Sequence, residues 1–257
     1  MSKLLYYDLR ERIIRHAVVV LTNLFKKIPM ELDLASLYSI KSFADNVKKH
    51  YKEINLLINN AGVAFPNKKR VETKDGFEVH FGVNHLGHFF LTNLLMELLA
   101  ASSNSCSRVV IVTSSLHEKG VLNLNDLNSV RTATRYNLYA NSKLANIYFA
   151  QELAKRVKSK NIRVYACCPG WIYTRLFRHS FKWYHYFLVA PVAFFFMRSP
   201  KQGAQTPIYC ATEPDLEIET GLLYRDCMHY NSRVIFYDNV ATKLWEETQN
   251  MINKIIK

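Results

Sequence analysis

Tyr139 and Lys143 stand four residues apart in the run Tyr139-Ala-Asn-Ser-Lys143. In a helix that spacing puts a phenol and an ammonium on one face. A phenol ionises at about pH 10. A neighbouring cation favours the phenolate, so Lys143 is expected to lower that value. A tyrosine tuned in this way exchanges a proton with an alcohol or a carbonyl near neutral pH. Alone the spacing is common, and a surface tyrosine beside a surface lysine is its ordinary meaning. What surrounds the pair decides the matter.

Three short runs rich in Val, Ile and Leu, residues 54–59, 108–113 and 162–167, lack polar alternation. That is the pattern of strands covered on both faces. Each ends in small or polar turn residues: Asn59-Asn60-Ala61-Gly62, Ser114-Ser115 and Pro169-Gly170. Ligands of open α/β sheets bind outside the carboxyl ends of the strands. A serine hydroxyl at the second tip would hold a substrate oxygen beside the tyrosine. Ser115 is the candidate, and Ser114 reads better as a cap or turn residue.

Longer amphipathic segments separate these runs, giving βαβ units around a parallel sheet. Residues 36–51 carry apolar side chains at helical spacing, with Ser36 as cap. Residues 75–101 form a long helix expected to break near Gly82 or Gly87. Residues 138–158 are apolar on more than one face and should be buried. Residues 201–212 and 239–256 are peripheral helices. One domain, 1–257, accounts for the whole chain.

The 257 residues are 49% hydrophobic, enough for a sizeable core, and carry a net charge of +13. The basic residues are scattered in pairs and no nucleic-acid motif accompanies them, so nucleic-acid binding is not expected. Five cysteines without a C-x-x-C pair indicate free thiols in a cytosol-facing protein. His80, His85 and His88 have near-helical spacing but no acidic or cysteine companion, so no metal site is expected. The apolar stretch 17–21 is too short to cross a bilayer. So is the aromatic stretch 184–197, which would lie on a membrane or cover an apolar substrate.

Several motifs occur together and in order: Leu57-Ile-Asn-Asn-Ala-Gly62, Val83-Asn-His-Leu-Gly-His-Phe89, Val110-Ile-Val-Thr-Ser-Ser115, Tyr139-Ala-Asn-Ser-Lys143 and Pro169-Gly-Trp-Ile-Tyr-Thr174. With Asp33-Leu-Ala-Ser36, Asn141-Ser-Lys-Leu-Ala-Asn146 and Ser199-Pro-Lys-Gln-Gly-Ala-Gln-Thr206, they make the chain resemble the short-chain dehydrogenase/reductase family, and within it the retinol-dehydrogenase-like group. The resemblance covers about residues 30–257.

That resemblance implies a Rossmann-like, doubly wound parallel sheet flanked by helices. It implies an NAD(P)-dependent oxidoreductase that passes hydride between NADP or NAD and an apolar alcohol, aldehyde or ketone of retinoid, steroid or lipid type. Tyr139 would be the general acid/base, and Lys143 would hold the nicotinamide ribose. Ser115 would orient the substrate oxygen, and Asn84 would support a water-linked proton relay. Asp33 and Leu34 would meet the adenine, while Asn60, Ala61 and Gly62 would line the adenosine side. Pro169, Gly170 and Thr174 would close over the nicotinamide. Residues 176–200, with Phe177 on the substrate, would form the lid.

The family's first strand leads into T-G-x-x-x-G-x-G, whose amides cradle the cofactor pyrophosphate. Here the first of eight glycines is Gly62. The expected fold therefore lacks the first βα unit with its glycine-rich loop, and residues 1–29 are a divergent N-terminal remnant. A truncated gene model or splice form would explain this. On that alignment residues 3–8 match the family's second strand and residues 9–26 the following helix. Alternatively, residues 17–21 form a strand. The competing functional expectation is a non-catalytic, truncated homologue with a binding role. A homodimer and the surface of the endoplasmic reticulum membrane stay open as partners.

Overall fold

A computed structural model describes residues 3–7, 16–21, 26–66, 70–102, 106–131, 137–172 and 197–256. Eight strands form one sheet in the order β3-β2-β1-β4-β5-β6-β7-β8. They are β1 (Lys3–Tyr7), β2 (His16–Leu21), β3 (Lys26–Glu31), β4 (Leu56–Asn59), β5 (Ser107–Val112), β6 (Ile162–Cys168), β7 (Leu222–Arg225) and β8 (Met228–His229). β1, β4, β5, β6 and β7 run parallel, and β8 closes one edge antiparallel. This is the Rossmann-like architecture that the alternation of apolar runs and amphipathic segments leads one to expect.

The helices are α1 (Leu37–His50), α2 (Gly87–Leu94), α3 (Met96–Ala100), α4 (Leu138–Arg156), α5 (Pro200–Gly203), α6 (Gln205–Thr212) and α7 (Asp238–Asn253). Along each central strand successive side chains serve opposite faces, as the two-residue period of a strand requires. Leu57, Val109, Ile111, Val164 and Ala166 pack with α1, α2, α4 and α7. Ile58, Val110, Val112, Tyr165 and Cys167 pack with Cys210 of α6 and with Tyr224 of β7. The continuous apolar runs are thus strands buried on both faces.

Local chemistry sets the helix limits. The Ser36 side chain caps α1 by accepting from Ser39 N. The long segment expected over 75–101 begins with a turn at Gly76 (φ +79°) and breaks where anticipated, in a π-helical turn over Phe81–Leu86.

The N-terminal part corrects one expectation. Residues 3–8 were aligned with the family's second strand and 9–26 with a helix, which would leave the middle of the sheet open. Instead β1 lies parallel to β4 in the central slot, and His16–Leu21 is a strand, as the alternative held. A bare β4 edge would strand its backbone polar groups, and an apolar segment nearby supplies their partners. β1, β2 and β3 are antiparallel neighbours. The connections from Tyr7 to His16 and from Leu21 to Lys26 are shorter than the roughly dozen residues a parallel crossover needs. The described strands form one continuous sheet, and the chain before Gly62 has no glycine.

Candidate functional site

Three structures converge at the carboxyl ends of β4, β5 and β6. The first is the loop after β4. Asn84, fully buried in the π-helical turn, grips that loop through both main-chain atoms of Val63. Val63 N donates to Asn84 Oδ1 at 2.7 Å, and Asn84 Nδ2 donates to Val63 O at 3.0 Å. The same Nδ2 reaches Ser142 Oγ at 3.0 Å, tying the loop to α4. Phe65 N donates to His80 Nε2 at 2.8 Å, and His80 Nδ1 faces Glu78 Oε1 at 2.7 Å. A π-helical turn is uncommon and often marks a functional position. Here it aims Asn84 at the loop. Asn60 is half-buried, and Ala61 is buried.

Gly62 lies where this loop meets the lysine. A Cβ added there would sit 3.2 Å from Asn84 Oδ1 and 3.5 Å from Lys143 Nζ. The absent side chain lets the loop backbone lie close to both polar groups.

The second structure is the junction of β5 and α4. Thr113 Oγ1 donates to Lys143 O at 2.7 Å, and Lys143 Nζ donates to Val112 O at 3.1 Å. Tyr139, two residues into α4, bonds to the Ser114 side chain and packs edge-on against His80. Ser114 also accepts from Leu116 N, capping the 3-10 turn Ser115–Lys119. Ser115 is half-buried at the start of that turn. His117, buried inside it, holds the turn by its two ring nitrogens, 2.6 Å from Ser114 O and 2.7 Å from Ser232 Oγ.

The electrostatics reverse an expectation. The lysine was expected to lower the phenol pKa. Burial instead pushes Tyr139 up to about 12, the Ser114 bond opposing it. Burial also pushes Lys143 down to about 8, with Cys167 and Cys168 opposing it. The reason is geometric. Lys143 Nζ is 5.8 Å from the Tyr139 ring centroid and is engaged with Val112 O. Desolvation of the phenolate therefore outweighs the attraction of the ammonium.

The third structure follows β6. Pro169 and Gly170 are half-buried, and Gly170 takes φ +84°, a left-handed conformation that glycine adopts without strain. The Arg198 guanidinium covers it, 3.1 Å from where a Cβ would lie, and forms an ion pair with Asp226. Thr174 and Phe177 lie outside the described residues, as does most of the expected lid. Asp33 is buried; Oδ1 accepts from Ala35 N at 3.0 Å, and Oδ2 pairs with Lys74 at 2.9 Å. The buried Leu34 packs its carbonyl against Gly87.

Tyr139, Lys143, Asn84, Gly62 and the serine turn thus come together, while Asp33 and Leu34 sit at the start of α1. Among the described residues no helix is long and apolar enough to cross a membrane, and no cluster has metal-ligand composition. Sequence reasoning missed Ser142, Thr113, Asn146 and the Glu78–His80 pair. Ser142 and Asn146 stand inside the Tyr139 motif, but only a helical projection onto β5 would have shown that they point inward. The side chains present suit the nicotinamide–ribose half of a dinucleotide: an ammonium, a phenol and a glycine gap on one tip.

Residues 2–185 match the family described as short chain dehydrogenase. Mouse Retinol dehydrogenase 14 is 42% identical over 228 residues, covering 86% of this chain and 66% of that protein. Human Retinol dehydrogenase 12 is 42% identical over 221 residues, covering 84% of this chain and 66% of that protein. The chain thus spans just under two thirds of the length of these relatives. Among solved structures, an uncharacterized protein from Mycobacterium paratuberculosis superposes with a TM-score of 0.63 at 30% identity, covering 87% of this chain and 75% of that one.

Proposed function

Because this chain belongs to the short-chain dehydrogenase family, we propose that it is an oxidoreductase interconverting an apolar alcohol and its aldehyde or ketone, with NADP or NAD as the hydride carrier. The observation that carries this reading is the convergence of Tyr139, Lys143, Asn84 and Gly62 on one strand-tip surface. The retinol dehydrogenases among its relatives favour a retinoid-like substrate. The aromatic run between 176 and 200, with Phe177, favours the same apolar chemistry and a lid or membrane-surface role.

The bound cofactor would supply or take the hydride. Lys143 would hold its ribose, with donors directed past Gly62. Pro169, Gly170 and Thr174 would flank the nicotinamide, Asn60 and Ala61 would line the nucleoside, and Asp33 and Leu34 would lie toward the adenine. Tyr139, protonated at neutral pH as any phenol is, would donate the proton in reduction of a carbonyl, and burial makes it a weaker acid than a free phenol. In the reverse direction it must become a base, so an approach of the Lys143 ammonium to the phenol would be part of the oxidative cycle. Ser115 would orient the substrate oxygen. Ser114 competes for that role because it already bonds the phenol. Asn84, beside Lys143 across Gly62, would support a water-linked path to the lysine.

One observation favours a second reading, a non-catalytic homologue with a binding role: no glycine precedes Gly62, so the amide cradle for a pyrophosphate is absent from the sequence. The two readings separate in one assay. Turnover of an apolar aldehyde with NADPH, abolished by Tyr139→Phe, supports the oxidoreductase. A folded chain without turnover, and unchanged by Tyr139→Phe in every ligand titration, supports the binding role. Separate Ser114→Ala and Ser115→Ala variants identify the orienting hydroxyl by which one raises KM and lowers kcat.

A further inference from the structure

Lys143 does not own its acceptor. Val112 O receives Lys143 Nζ at 3.1 Å and also Asn146 Nδ2 at 3.4 Å. Asn146 is fully buried one turn along α4, and its other amide atom, Oδ1, lies 3.3 Å from His85 Nδ1. His85, in the π-helical turn, has its Nε2 3.2 Å from Thr248 Oγ1 on α7. An unbroken buried path therefore runs from the C-terminal helix through an imidazole and an amide to the carbonyl that holds the lysine.

The polarity of this path is constrained. An amide with Nδ2 on Val112 O presents its oxygen to His85, so His85 Nδ1 must carry a proton. Burial keeps the ring neutral, pushing its pKa down to about 3. A neutral ring protonated at Nδ1 has a bare Nε2, which lies 3.2 Å from Thr248 Oγ1. The Thr248 hydroxyl donates to Leu244 O at 2.7 Å and keeps its oxygen against the ring. The His85 and Asn146 donors then both point toward Val112 O.

We propose that Asn146, oriented by His85 and Thr248, is a positioning residue for Lys143. By occupying one lone pair of Val112 O, it confines the Lys143 bond to the other and so sets the direction in which the ammonium's remaining donors face Gly62 and Asn84. This rests on the oxidoreductase reading only for its purpose. The arrangement itself is testable without cofactor or turnover.

The test is the titration of the Lys143 ammonium in the cofactor-free chain labelled with 15N-lysine, followed by NMR and assigned with Lys143→Arg. The other titratable groups facing Lys143 are Cys167 and Cys168 on β6, Tyr139 on α4 and His88 on α2. None of them is changed by the variants chosen. Asn146→Leu keeps the volume, keeps water out and removes the competing donor, so Lys143 gains sole use of Val112 O and its pKa rises. Thr248→Val, distant and nearly isosteric, frees the His85 tautomer and the Asn146 amide, and gives a smaller rise. A Lys143 titration in Thr248→Val identical to that of the parent chain overturns the proposal. So does a fall in Asn146→Leu, the result of apolar packing alone. If Asn146→Leu does not fold, the Thr248→Val titration decides. Loss of turnover in every variant, including the parent, would count against the functional reading and leave this result standing.

Discussion

The two halves of the sheet are built in different ways. Around β4, β5 and β6, long-range side-chain bonds fix the geometry: Asn84 on Val63 and Ser142, Thr113 on the Lys143 carbonyl, and Lys143 and Asn146 on Val112 O. Across β1, β2 and β3 the sheet is a backbone ladder of antiparallel pairs joined by short connections. Side-chain bonds of the first kind specify atom positions, as proton transfer demands. An antiparallel ladder extends the sheet through short connections, without a crossover. The half that would do chemistry is parallel and tied by side-chain bonds at its strand tips, whereas β1, β2 and β3 join one another by antiparallel backbone pairing.

The largest expected effect lies in the specified half. Tyr139→Phe removes the proposed proton donor while keeping the ring and its packing against His80. The expected result is a fall in kcat of about 100-fold or more, with cofactor affinity unchanged, measured by steady-state turnover and by fluorescence titration. A comparable loss of affinity would mean that the phenol serves binding and not proton transfer.

Asn84→Ala comes next. It leaves the half-buried Val63 N–H and carbonyl without their side-chain partner. The expected cost is about 1–3 kcal/mol, read as a lower urea midpoint with unchanged slope.

Acid has a related effect, spread over several pH units. His85 and His88 are held neutral by burial, with pKa values pushed down to about 3 and 4. In the unfolded chain both titrate near pH ~6.5, so the unfolded state binds more protons throughout the interval below that value. Stability is therefore full above about pH 6.5 and declines toward pH 4, by up to ~1.4 kcal/mol per pH unit for each histidine. Urea midpoints at pH 7.5 and 5 check the sign. Equal midpoints would show that the histidines are hydrated in the folded chain.

The last prediction concerns the ladder. Val19→Pro removes one donor from β2, between β1 and β3. It should leave amide-exchange protection of β5 and β6 intact while raising exchange in β2 and β3. Equal loss of protection in β5 would show that the two halves unfold as one unit, against the contrast drawn above.

Most of the β4–β6 half, where the candidate site lies, was legible in the sequence because its signals are local. The helix after Ser36 was legible from its cap, and the break near Gly82 and Gly87 from its glycines. The buried strands were legible from runs such as Val109–Val110–Ile111, and the tyrosine–lysine pair from helical spacing. What was not legible depends on distance through space. The direction of the Tyr139 pKa shift is set by burial under neighbours far away in sequence. The Ser114 bond to the phenol and the convergence of Lys143 and Asn146 on Val112 O need the β5–α4 register. The place of Lys3–Tyr7 was misread because an apolar run does not state its neighbour; β4's need for a partner decided it. Thr174 and Phe177 lie outside the described residues.

The central claim is that the surface formed by Gly62, Asn84, Tyr139 and Lys143 holds a nicotinamide ribose. The direct measurement is a titration of this chain with NADPH and NADH, followed by cofactor fluorescence and repeated with Lys143→Met. Saturable binding of one cofactor below about millimolar concentration, about −4 kcal/mol or better, and weakened at least about tenfold by Lys143→Met, is the predicted result. A folded chain that shows no binding at that concentration, or binding indifferent to Lys143→Met, would contradict it.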